Sequence, residues 1–275
     1  MTESITWIPD GVDQELPSSA RIYDYLLGGA HNFAADRQIA ERFAAVLPGS
    51  REIARLNRAF LRRAVLFMVS SGVRQFLDLG SGIPTVGNVH EIAQRAAPES
   101  RVVYVDNEPV AVSHSALLLE GNPGAAAVQA DLTEPDAVLR HRETRRLIDF
   151  SRPLGLLAVG VLHFVPDSRD PDALLGRYRA VLAPGSLVAL SHFTADTRPA
   201  EVAAMVEVMR HTKDPVHPRS RERFTEFFAG LELVEPGVVS TALWRPDSAA
   251  DLADRPERDQ IHAGVGRVPG AVPPR

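Results

Sequence analysis

The chain has 275 residues and no cysteine. That absence excludes disulfides, thiolate metal sites and a cysteine nucleophile. Lysine is almost missing too: Lys213 stands alone and every other cationic side chain but histidine is arginine. With the alanine-rich composition, this reads as the codon bias of a high-GC genome, with most arginines on solvated helix faces. A net charge of −5 indicates no broad attraction to nucleic acid or anionic membrane. No apolar run approaches the roughly 20 residues of a membrane-spanning helix. The start, Met1-Thr2-Glu3-Ser4-Ile5, lacks the basic and then apolar character of a secretory signal, so a cytoplasmic protein is expected. A hydrophobic content of 45% suffices for one large domain, or for one domain with an appendage.

Residues 1–16 lack periodicity and read as a flexible arm. Residues 17–72 read as a helical cap. A helix capped by Ser18 or Ser19 runs from about Ala20 to Leu27 and stops at Gly28-Gly29; within it, Arg21 and Asp24 have ion-pair spacing. Two more helices follow, near Asp36–Val46 and Arg51–Ser71, the second with apolar residues at helical spacing. From residue 73 to 268 strand and helix alternate. Strands are expected at Gln75–Leu79, Arg101–Asp106, Ala125–Ala130, Leu154–Leu162 and Ser186–His192, with weaker ones at Leu231–Val239 and Ile261–Val268. This alternation predicts an α/β fold with a mostly parallel sheet and helices on both faces. Arg245–Gln260 reads as a loop, and 269–275 as a loose tail.

The stretch Phe76-Leu77-Asp78-Leu79-Gly80-Ser81-Gly82-Ile83-Pro84-Thr85 carries the chemistry. A buried strand breaks into Asp-x-Gly-x-Gly, and Pro84 stands where a helix could begin. Glycine permits a sharp turn and close approach of a ligand. Ligands of open α/β sheets lie across the carboxyl ends of the strands, and three further ends are polar. Tyr104-Val105-Asp106-Asn107 ends in an acid able to accept from both hydroxyls of a ribose. In Gln129-Ala130-Asp131-Leu132, Asp131 either accepts from an adenine amine, with the Leu132 amide donating to a ring nitrogen, or caps the next helix with Glu134. Val161-Leu162-His163-Phe164 ends the most apolar strand. A dinucleotide site would want Gly-x-Gly-x-x-Gly for its pyrophosphate, but the third position is Thr85. S-adenosylmethionine, which has no phosphate, fits the loop better.

These motifs, together with Ala20-Arg21-Ile22-Tyr23-Asp24-Tyr25-Leu26-Leu27-Gly28-Gly29, Asn32-Phe33, Asn88, His90-Glu91 and Ser191-His192, resemble a bacterial S-adenosyl methyltransferase family once catalogued only as a domain of unknown function. The resemblance runs from about Pro17 to Val268. It implies a Rossmann-like, seven-stranded sheet with an antiparallel last strand, and S-adenosylmethionine as cofactor. It implies that Gly80, Ser81, Gly82, Asp106, Asn107, Asp131 and Leu132 line the cofactor site, with Tyr23, Tyr25, Gly28 and Gly29 nearby; Asp78 and Val161 are counted with them.

Methyl transfer from a sulfonium needs alignment and exclusion of water. It needs a base only when the acceptor must lose a proton. His163 is the candidate base, ahead of His192, His31 and His90. A small-molecule acceptor is expected, with no nucleic acid and no membrane as partner. No compact metal pattern is present. Two other readings stand beside this one: a non-catalytic, S-adenosylmethionine-binding regulator and a nicotinamide-dependent oxidoreductase.

Overall fold

A computed structural model describes residues 8–9, 11–84, 87–247 and 260–270. Helices α1 (Ser19–Leu26), α2 (Ala34–Val46) and α3 (Ser50–Ser70) precede strand β1 (Gln75–Leu79). Then come α4 (Val89–Ala96), β2 (Arg101–Asp106), α5 (Pro109–Leu118), β3 (Ala125–Gln129), α6 (Pro135–Arg140), α7 (Arg142–Leu147) and β4 (Gly155–Val159). After a 3₁₀ turn at Leu162–Phe164 come α8 (Pro171–Arg179), β5 (Leu187–Phe193), α9 (Pro199–Met209) and α10 (Arg221–Glu226). Short strands β6 (Glu232–Leu233) and β7 (Val239–Ser240) precede β8 (Ile261–Arg267). Of the expected arm, loop and tail, residues 1–7, 10, 248–259 and 271–275 lie outside the described residues.

The strands form one sheet in the order β3-β2-β1-β4-β5-β8-β6, with β7 also on β8. The first five are parallel and β8 is antiparallel to β5. The order reverses between β1 and β4, where such sheets open a crevice at their carboxyl ends. The count is eight rather than the expected seven. The weak strand expected at 231–239 is broken at Pro236, which has no N–H to donate, and at Gly237 with φ +82°. Its two pieces pair with successive parts of β8: Leu233 with Gly266, and Val239 with Ala263.

Successive residues of the central strands go to opposite faces, as period 2 requires. Leu77 and Leu156 enter one core; Phe76 and Leu157 enter the other, against Phe60, Ala64 and Met68 of α3. The sheet is apolar on both faces, the pattern of a parallel sheet covered on both sides. The first half of α3 joins a third cluster, in which Ile22 and Leu26 of α1, Phe43 of α2 and Ile53 meet Met205 and Met209 of α9 and Ile261 of β8. The roof over the strand tips therefore includes α9 as well as the N-terminal helices.

Two expected boundaries move. No helix begins at Pro84: α4 starts at Val89, where the Glu91 carboxylate accepts from the backbone N–H groups of Gly87 and Asn88 at 3.1 and 2.9 Å. An acid at the third helical position holds an N-terminus in this way. Strand β4 ends at Val159 rather than Leu162 because Gly160 turns with φ +75°, and His163 rides on the 3₁₀ turn that follows.

Several arginines are not on solvated faces. Arg21 is 2% exposed, Arg63 5% and Arg219 6%. Arg21 does not pair with Asp24. Its Nε donates to Asp36 of α2 at 2.8 Å, and its Nη1 to Glu108, two residues past β2, at 2.7 Å. Its Nη2 donates to the carbonyl of Leu16 at 2.6 Å, and its plane lies over the Phe33 ring. Asp24 instead accepts from the His31 N–H and the Asn32 amide. Replacing Arg21 by alanine would leave Asp36 without its buried counter-charge and Glu108 with only Lys213, at 3.4 Å; breaking such buried pairs costs about 3–5 kcal/mol. Chemical denaturation should show a loss of that size for Arg21→Ala; a loss under about 1 kcal/mol would mean that the charges find water instead.

Candidate active site

A cavity of about 430 Å³ opens at the carboxyl ends of β1, β2, β3 and β4 beneath the α1–α3–α9 roof. Of the residues expected at the cofactor, Tyr23, Asp78, Gly80, Ser81, Gly82, Asp106, Asn107, Asp131, Leu132 and Val161 line it, and so does His163. Gly28, Gly29 and Tyr25 are not in its wall. Gly28 and Gly29 terminate α1, their N–H groups bonded to the carbonyls of Tyr25 and Asp24. A Cβ on Gly29 would overlap the Asp24 carboxylate at 1.9 Å, so glycine is needed there for packing. The Tyr25 hydroxyl turns outward to Glu41 on α2.

The glycine loop is built for close approach. Gly80 has φ +66°, and a Cβ there would lie 2.2 Å from Val161 Cγ2, so β1 and β4 tips meet only because Gly80 has no side chain. Gly82 has φ +67°, and its missing Cβ would meet nothing within 4 Å: that space belongs to the cavity. Asp106 sets the loop's position. One of its oxygens accepts from Gly82 N–H at 2.7 Å and the other from Glu108 N–H at 2.9 Å. Each carboxylate oxygen has a second lone pair, so Asp106 retains capacity for a ligand's hydroxyls. Asp131 accepts from Thr133 N–H at 2.8 Å through one oxygen, in an Asx-type turn. The other oxygen has no internal hydrogen bond among the described residues. Glu134, rather than Asp131, occupies the N-cap of α6.

The floor is acidic and poorly solvated. Burial pushes Asp78 up to about 7; the Arg58 charge opposes the shift and the Asp106 carboxylate adds to it. Burial likewise raises Asp106 to about 6, against the two backbone N–H bonds that favour its charged form. Burial raises the Tyr23 phenol as well. The Tyr23 hydroxyl donates to the Ala54 carbonyl and accepts from Asn57, whose own carbonyl takes the Ser191 hydroxyl proton. That chain pins α1 to α3 and α3 to β5.

His163 is 3% exposed and its Nδ1 has no hydrogen-bond partner among the described residues. Burial, followed by the positive fields of His192, Arg219 and His217, holds its pKa well below the usual range, so it is neutral at pH 7. The other candidate bases lie elsewhere. His192 bonds the Phe193 carbonyl and faces Arg219 at 2.8 Å. His90 bonds the Tyr104 hydroxyl, and His31 packs on His114. Arg219 also donates to the carbonyls of Leu162 and Val165, clamping the turn that carries His163.

Sequence reasoning missed several residues of the cavity wall: Phe43, Ser50, Ile53, Asn57 and Arg58, with Phe193, Met209, Lys213 and Val216 from β5 onward. No local motif marks these positions. Lys213 was visible only as the single lysine; its amine lies 3.4 Å from both Asn107 and Glu108 at the β2 tip. Among the described residues no acidic and histidine cluster could hold a metal, and no helix is long and apolar enough to cross a membrane.

The recessed acids, the open glycine loop and Arg58 fit an adenosyl group bearing an amino-acid tail. The comparisons agree. The profile of the S-adenosyl methyltransferase family matches residues 5–269. A candidate methyltransferase from Thermobifida fusca YX, solved by crystallography, is 41% identical, superposes with a TM-score of 0.91, and the match covers 96% of this chain and all of that one. A DUF574-family protein from Streptomyces avermitilis MA-4680 is 40% identical, with a TM-score of 0.90 over 94% of this chain and 99% of that one. A comparison with curated protein sequences finds no match. The chain belongs to the S-adenosyl methyltransferase family. It is a methyltransferase, and its cofactor is S-adenosylmethionine.

Two outcomes are expected at the floor. Asp106→Ala should weaken S-adenosylmethionine binding by about 2 kcal/mol through lost charged hydrogen bonds; unchanged affinity in calorimetry would remove Asp106 from the site. Because the raised acid must be ionised to accept strongly, affinity should also fall with acidity. A group titrating at about 6 is roughly a quarter ionised at pH 5.5, so binding should weaken about fourfold between pH 7.5 and 5.5. Calorimetry across that range should show the drop, and affinity that rises toward acid would contradict it.

Proposed function

We propose that this chain transfers the methyl group of S-adenosylmethionine to a small-molecule acceptor held under the roof helices. The observation that carries this reading is the continuity of one cavity from the acidic strand tips to His163 and the roof wall.

When bound, the cofactor supplies an electrophilic methyl group on a sulfonium. The protein's part is alignment and exclusion of water. Asp106 and Asn107 would hold the ribose, Asp131 and the Leu132 backbone the adenine, and the Gly80–Gly82 loop with Asp78 and Arg58 the amino-acid end. Val161 and Tyr23 border the space between that end and the roof. His163 is assigned to the acceptor. Its depressed pKa keeps a lone pair on the imidazole throughout the neutral range, so it can receive the proton that an oxygen or nitrogen nucleophile sheds as its bond to the methyl carbon forms and the carbon–sulfur bond breaks.

The test is direct. Calorimetry should show binding of S-adenosylmethionine and its demethylated product and none of NAD. Release of the demethylated product, followed over a panel of small acceptors, should fall about 100-fold in His163→Ala, with cofactor affinity within about twofold of the parent. Because burial holds His163 well below the usual imidazole range, the acid limb of turnover at saturating cofactor should lie at lower pH than an ordinary histidine base would give. Full turnover in His163→Ala would remove the base assignment. NAD binding in place of S-adenosylmethionine would remove the whole reading.

A further inference from the structure

The roof half of the cavity has a different chemistry from its floor. Its wall is formed by Ile22, Leu26, Phe43, Ile53, Met209 and Ile261, each no more than 5% exposed. Partly buried Phe164 and Phe193 pack against the same cluster. Charged side chains that border the cavity are committed elsewhere or solvated. Asp214 accepts from the Ser19 N–H and hydroxyl, at 2.9 and 2.7 Å. Lys213 faces Asn107 and Glu108. Arg58, Asp78, Asp106 and Asp131 line the cavity with the glycine loop and strand tips, and Arg169 is exposed at the rim.

His163 and Ser50 border this lining, and His163 Nδ1 and Ser50 Oγ are buried with no hydrogen-bond partner among the described residues. Ser50 is 3% exposed. A buried polar atom without a hydrogen bond is costly, about 1–3 kcal/mol. A charged acceptor would enter this chamber without a counter-charge, and desolvating an unpaired ion costs far more than one hydrogen bond returns. A neutral ring bearing a hydroxyl or N–H would bury its apolar face on Phe164, Phe193 and the aliphatic wall, with its polar hydrogen on the side of His163.

We infer that the acceptor is an uncharged, largely apolar, planar molecule carrying a hydroxyl or N–H. This rests on the methyl-transfer reading above and narrows it: carboxylates, ammonium compounds and phosphorylated metabolites are excluded by the roof wall.

The experiment uses the full chain saturated with S-adenosylhomocysteine and three probes of one shape: 2-naphthol, 2-naphthoate and 2-naphthylmethylammonium. Isothermal calorimetry should give 2-naphthol an affinity at least tenfold above either charged probe. Phe164→Arg, which places a cation in the partly exposed part of the wall, should move the preference toward 2-naphthoate by at least tenfold while S-adenosylhomocysteine still binds. A charged probe that equals or exceeds 2-naphthol in the parent overturns the inference, and so does binding of none of the three. Loss of preference change in Phe164→Arg with intact cofactor affinity overturns the placement of the chamber. Failure of the parent to bind S-adenosylhomocysteine is a separate result: it removes the cofactor assignment on which the inference stands.

Discussion

The buried guanidinium of Arg21 is the constraint on which the rest of the site depends. It reaches a carboxylate of α2, a carboxylate just beyond the tip of β2 and a carbonyl of the N-terminal segment in one planar fork. Glu108, one of those carboxylates, follows Asp106 by two residues, and its own N–H is held by Asp106. The roof and the acidic floor are therefore tied through a single charge cluster. Arginine suits this position because its planar, always-charged fork satisfies several acceptors at fixed angles, which lysine cannot do. The Phe33 ring on its flank limits water access to the cluster.

From that anchor the cavity divides by polarity. The sheet contributes acids and backbone amides at its carboxyl edge, where turns leave donors and acceptors unpaired by neighbouring strands. The roof contributes the side chains that amphipathic helices bury. The acids are raised by desolvation, and the same desolvation lowers His163. Burial pushes both kinds of group toward their neutral forms, so a cationic sulfonium entering between them would favour ionised carboxylates without favouring a protonated imidazole. One environment thus raises the acids and lowers the imidazole.

The candidate site was legible in part. The glycine loop and the acids Asp106 and Asp131 were readable because a strand followed by Gly-x-Gly, and strands ending in Asp, are local patterns with a mechanical cause. Gly28 and Gly29 shared the glycine signal but serve a helix end and the Asp24 carboxylate. A glycine reports that a side chain is forbidden, not what forbids it. Arg21 illustrates the same limit for charge. Its spacing to Asp24 allowed a local pair, yet burial favoured partners 15 and 87 residues away. Val161 was placed on a strand, and His163 just past its end, by their apolar neighbours, but a positive φ at Gly160 converted that end to a turn. Hydrophobicity does not distinguish a buried strand from a buried turn.

The amino-acid sequence alone determined the alternation of strand and helix, the Asp-x-Gly-x-Gly corner and the acids at the second and third strand ends. Each is set by periodicity or backbone freedom within a few residues. Only the tertiary structure decided which faces of α1, α2, α3 and α9 close over those ends, and that the chamber they enclose is apolar. That outcome depends on packing between segments far apart in the chain, such as those of Ile22 and Ile261 in one cluster. No local pattern encodes which distant partner a buried face will meet.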